Sequence, residues 1–139
     1  MKKRVLYFAH ELIAAFVLVS VLSAGAFAAG TWAGVAERIG GELSASLKLY
    51  EAGKIEAAEE KAVDAYFGVF EGEKANMEIA VRQRLSLKRA VDLEKGFSEL
   101  RKAMHVKAPV QEVKGRVASL AEAVRKAAAE LDGKGVELK

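Results

Sequence analysis

The sequence predicts an all-α protein: an antiparallel bundle of about four helices behind an N-terminal export segment. Three observations carry this expectation. Ala, Glu, Lys, Leu and Arg dominate and there is a single proline, a composition that favours helix over strand. Apolar residues recur at spacings of three and four from Val35 to Leu131, the period of helices with one buried face. Glycines at 53, 72 and 133 fall where those periodic runs stop, as helix ends require.

Residues 1–28 read as a leader. Lys2, Lys3 and Arg4 form a basic start, an apolar run follows Glu11, and Ala26-Phe27-Ala28 offers the small-x-small pattern of a signal-peptidase site. Cleavage there would leave about 111 residues, enough for a modest core. An uncleaved anchor is the alternative, because residues 12–29 carry no charge and approach the length that spans a bilayer. Either way the rest is expected to be periplasmic or extracytoplasmic, with a bundle over 29–132 and a flexible tail over 133–139.

The first helix is predicted over 32–52, with Val35, Ile39, Leu43, Leu47 and Tyr50 on its apolar stripe. Gly40-Gly41 should bend it or leave its first part loose, and Gly53 is placed to take the left-handed position after its end. A second helix, 54–71, carries Ile55, Ala58, Ala62, Tyr66 and Phe70 inward; its short link to the first makes an antiparallel hairpin. The third is expected from an N-cap at Asn76 to about Val106, roughly 45 Å long, with Met77 and Val81 beginning a stripe that Phe97, Leu100 and Met104 continue. Pro109 suits the first position of the fourth helix, whose Val110, Val113, Val117, Leu120, Val124, Ala127 and Leu131 form a heptad seam. No recurrence near 34 residues supports a repeat solenoid.

Charge and composition exclude several functions. The formal charge is +3, but the leader holds three basic residues and one acid, leaving 19 Lys+Arg against 18 Asp+Glu. So balanced a domain has no electrostatic case for nucleic acid. Cysteine is absent, which removes disulfides and thiolate metal sites. His10 falls in the leader, and His105 alone makes neither a catalytic pair nor a zinc site. With no nucleophile–base constellation and no phosphate-cradling glycine loop, the chain is not expected to be an enzyme.

Two features could carry chemistry. Glu56, Glu60, Asp64 and Glu71 follow at helical intervals and can share one face; carboxylates suit hard, oxygen-preferring cations, yet the same stripe also serves as a solvated face. At the following turn Tyr66, Phe67 and Phe70 precede Glu71, then come Met77, Glu78 and, one turn later, Arg82. Glu71 and Glu78 would face each other across antiparallel helices beside an apolar wall. They could form a cation site or an ion-pair network, or the aromatics could simply plug the core. Arg82, Arg84, Lys88 and Arg89 form a basic patch expected to pair with acids of the second helix.

Asp64-Ala65-Tyr66-Phe67-x-x-Phe70-Glu71, followed by Met77-Glu78-x-Ala80-Val81-Arg82, resembles the extracytoplasmic N-terminal domain of the bacterial high-affinity iron permease (iron/lead permease) family. The similarity continues through Ser86-x-Lys88-Arg89 and Phe97 to Met104. It implies a domain that presents iron, or a related cation, to a membrane permease subunit or docks on one. On that reading Glu71 and Glu78 are ligands, Asp64 is supplementary, and Arg82, Tyr66, Phe67 and Phe70 support them. The family binds iron in its membrane part through Arg-Glu-x-x-Glu; this chain has only Glu56-x-x-Glu59, so transport by it alone is not expected. The alternatives are a structural envelope interaction module without metal and a small-ligand, sensor-type bundle.

Overall fold

Thr31 caps the first described helix: its side chain accepts a hydrogen bond from the Gly34 amide at 3.1 Å, satisfying a donor the first helical turn leaves open. The computed structural model describes residues 30–72 and 76–138. The expected leader (1–28) and the alternative anchor (12–29) lie outside them. Among the described residues there are five α-helices and no strand: α1 (Trp32–Glu51), α2 (Ile55–Val63), α3 (Met77–Arg84), α4 (Leu87–His105) and α5 (Val110–Gly133), with a π-helical segment, Asp64–Phe70, continuing α2. None of these helices is long and apolar enough to cross a membrane.

The helices share one core, in which Ile39, Leu43, Phe70, Met77, Val81, Leu100, Met104, Val124 and Leu131 are fully buried. α1 runs unbroken from Trp32 through Gly40-Gly41, so its first part is not loose. Its last turns approach α2 over small residues: buried Ser46 donates to the Ala58 carbonyl at 2.6 Å, and Gly53 takes φ 75° in the link. α1 and α5 run in opposite directions. The Trp32 and Ala33 amides donate to the Asp132 carboxylate at 3.0 and 2.9 Å, while the Tyr50 hydroxyl reaches the Ala108 carbonyl. α1 has no acid in its first turn, so Asp132 supplies the negative charge that a helix N-terminus favours.

The third helix predicted to run to Val106 is two helices, and the helix count rises from about four to five. At about 100° per residue, Phe97 would lie some 160° around a continuous helix from Val81, so both could not reach one core. The chain breaks at Leu85–Ser86 instead, where Ser86 is extended (φ −166°, ψ 151°) and its hydroxyl accepts from the Arg89 amide. Buried Ala90, Leu93, Phe97, Leu100 and Met104 then form the stripe of α4. Gly96 is where α5 comes close: a Cβ there would sit 2.9 Å from Leu120 Cδ1.

In α5 the seam from Val113 to Leu131 is buried, but Val110 is not; Pro109 acts as the N-cap with ψ 140° rather than as the first helical residue. The residues past α5, expected to fray, lie against the start of α1. Val136 and Leu138 pack on the core, and the Trp32 indole donates to the Val136 carbonyl at 2.5 Å.

Candidate functional site

The π segment positions the aromatic residues singled out in the sequence. Its wide turn closes through a bond between residues five apart, from the Glu71 amide to the Tyr66 carbonyl at 2.8 Å. Because a π turn takes more residues than an α turn, side chains that would share a face diverge. Phe70 is fully buried, whereas Phe67 is 56% exposed. The expectation that Tyr66, Phe67 and Phe70 together plug the core therefore holds for two of the three. Tyr66 stacks on Phe70 at 5.8 Å and both meet Phe97 at 5.2 Å; Phe67 stands edge-on to Tyr66 at 4.7 Å and 76°.

Gly72 ends the segment by pressing on Gly68: a Cβ at Gly72 would lie 2.5 Å from the Gly68 carbonyl oxygen. Backbone cannot yield there as a side chain would. Gly72→Ala is expected to cost about 1–3 kcal/mol, the range for overpacking, read from the urea midpoint.

The predicted ligands part company. Asp64 is exposed and turns to Lys61, 3.3 Å away, which also holds Glu42 of α1 at 3.1 Å; Glu42 first, then Asp64, hold the Lys61 ammonium above its usual range. Glu56 and Glu60 are solvated. Glu71 accepts a 2.5 Å hydrogen bond from the Tyr66 hydroxyl. Glu78 is bonded by Arg82 one turn on, and the same guanidinium reaches Glu94 of α4 at 2.6 Å. The four-acid face expected of helix 2 is lost because the π segment lies between Asp64 and Glu71.

The acids nevertheless bear on one group. Burial, then the Glu71 hydrogen bond and charge, then the charges of Glu94 and Glu78, push the Tyr66 phenol well above its ordinary range near 10. Arg82 ties two of these three carboxylates together, Glu78 first among the causes that hold it charged. Glu94 was not foreseen: twelve residues from Arg82, it comes into reach only because the chain breaks at Ser86. The expected pairing of the basic patch with acids of helix 2 is not found among the described residues, since Arg82 itself holds Glu78 of α3 and Glu94 of α4. Lys88 meets Asp92 and Arg89 meets Glu130. Among the described residues no group of three or more Asp, Glu or His side chains is arranged to hold a metal ion.

Tyr66 gives a pH signature. The folded state keeps its phenol protonated, so the stability it contributes is complete below about pH 10 and falls as pH rises beyond the unfolded value. Wild type should lose stability between pH 10 and 12 faster than Tyr66→Phe. At neutral pH that variant should be weaker by about 1.5 kcal/mol, the lower end for a hydrogen bond to a charged group; urea melts across pH measure both.

Beside this cluster lies an open groove of about 490 Å³, lined by Tyr66 and, from α4, by Val91, Glu94, Lys95 and Phe97. Val91 is 46% exposed, as is Leu87 one turn before it at 58%. A larger groove, about 790 Å³, lies away from these residues, between α3 and the C-terminal residues, with Trp32, Ile79, Arg84 and Val136 among its walls. Comparison with family models, curated proteins and solved structures returns no match.

Proposed function

We propose that this chain is an extracytoplasmic antiparallel helical bundle that docks on a membrane permease subunit through the aromatic end of α2. One observation carries the reading: Phe67 is held outward, 56% exposed, on a segment where Phe70 is fully buried and Tyr66 half-buried. A lone exposed phenylalanine needs no explanation. This one stands edge-on to Tyr66, which lines a groove with half-exposed Val91, and aromatic anchors beside such grooves suit helix-in-groove recognition. The exported location rests on the leader pattern, and the permease rests on the resemblance of residues 64–82. A photo-crosslinking residue at Phe67 should trap one membrane protein, and Val91→Asp should abolish the product. Crosslinking no stronger than from exposed Ala118 of α5 would refute the docking face.

A second reading, presentation of iron or a related cation, draws on the convergence of Glu71, Glu78 and Glu94 on Tyr66 with a single arginine between them. An incoming cation would have to displace Arg82 from Glu78 and Glu94. Metal binding on this reading rises in Arg82→Met and disappears in Glu71→Gln/Glu78→Gln, measured by elemental analysis after loading with ferrous or ferric iron. Equal metal in all three proteins rejects it.

A further inference from the structure

The end of the molecule where α1 meets α2 and α4 meets α5 carries two turns of the same construction. In the first, the Gly53 amide donates to the Tyr50 carbonyl and the Lys54 amide to the Leu49 carbonyl. In the second, the Lys107 amide donates to Met104 and the Ala108 amide to Ala103. Both are helix endings that need a left-handed residue, and glycine fills that position most easily. Gly53 does so at φ 75°; the second turn uses Lys107 at φ 55°. A lysine occupies the position that glycine fills without strain in the adjoining turn, and such outliers cluster at functional positions.

The second turn is also apolar on its outside. Val106 is 64% exposed and Val110 39%, with exposed Pro109 between them. The turn is pinned in this pose by the Tyr50 hydroxyl on the Ala108 carbonyl at 2.5 Å. Exposed Lys102, Lys107 and Lys114 stand around it, and Lys48 and Lys54 belong to the adjoining turn. None of the five forms an ion pair with another described residue. Of the acids at this end, Glu112 is held by Arg116 and Glu59 lies 3.5 Å from His105; Glu51 and Glu56 remain. The balance is basic.

We infer that this tip is a wedge for an anionic lipid surface. Val106, Pro109 and Val110 enter the interfacial layer, and the lysines lay their stems along it while their ammonium groups meet anionic headgroups. Charge complementarity selects this occupant over a neutral apolar one. The wedge uses no residue of the Phe67 face and does not depend on that reading. It also lies across the length of α1, about 30 Å, from Gly30, so insertion of the tip is separable from anything residues 1–29 do.

The absence of cysteine makes the test clean. In the full chain, Val106→Cys and, separately, Ala118→Cys are labelled with an environment-sensitive fluorophore and mixed with vesicles. The vesicles are phosphatidylcholine alone or an equal mixture with phosphatidylglycerol, and thermal melts confirm that each variant is folded. The label at 106 should shift to the blue only with the anionic vesicles, the label at 118 should not, and Lys102→Glu/Lys107→Glu should raise the lipid concentration for half-maximal shift at least tenfold. No shift at 106, an equal shift on neutral vesicles, an equal shift at 118, or indifference to charge reversal would each overturn the proposal.

Discussion

Phe70→Ala should lower the unfolding free energy by about 3–5 kcal/mol, the range for truncating a buried phenylalanine. Phe70 is fully buried and joins Tyr66 to Phe97, so its loss opens a cavity where the π segment packs on α4. The backbone there is held by the Glu71–Tyr66 bond and by the close approach of Gly72 to Gly68, which limits collapse of the cavity. The cost should therefore fall in the upper part of the range. Urea unfolding measures it, and a loss under 1 kcal/mol would mean that Phe70 does not occupy the core. Phe70→Leu, which keeps much of the volume, should recover most of the loss.

Trp32→Ala should cost a similar amount by a different route. Trp32 is 2% exposed, and its indole is the donor to the Val136 carbonyl that fastens the end of the chain to the start of α1. Truncation removes the largest side chain of the core, leaves the Val136 carbonyl without that donor and frees residues 134–138 from their anchor. We expect a loss of about 3–5 kcal/mol together with faster tryptic cleavage after Lys134. Unchanged cleavage with full loss of stability would mean that the C-terminal residues are held by contacts other than Trp32. As the only tryptophan, this residue also reports its own burial through the emission maximum of the wild type.

Much of the helical layout was legible because local rules and global packing agree there. α1 begins and ends within a residue of its expectation, with Gly53 in the left-handed position, and the seam of α5 is buried from Val113 onward. Two features were missed for one reason, an apolar spacing carried across a change of phase. Met77–Val81 and Phe97–Met104 each fit a helical period, but nine residues separate Val81 from Ala90, half a turn out of step. The signal available was Ser86 ahead of a new apolar run, a helix-capping residue. The π segment left a weaker trace, since three aromatics in five residues before Glu71 read equally well as a plug.

The candidate site was legible as a neighbourhood but not as an arrangement. Glu71 holds the Tyr66 hydroxyl directly, whereas the charge of Glu78 is the least of the influences on that phenol. Their partners came from elsewhere: Tyr66 itself for Glu71, and Arg82 with Glu94 for Glu78. Spacing along one helix cannot reveal a carboxylate delivered by another. Asp64 shows the converse case, where helical spacing grouped it with Glu71 and an ordinary i,i+3 pairing commits it to Lys61.

The proposed docking face requires a divided aromatic run, with Phe70 inside and Phe67 outward. Incorporating 4-fluorophenylalanine at 67 and at 70 in separate proteins and comparing fluorine spectra in H₂O and D₂O tests this directly. A divided run gives a clear solvent isotope shift at 67 and none at 70. Equal shielding of both, as a continuous α-helix packing 66, 67 and 70 on one face would give, would contradict it.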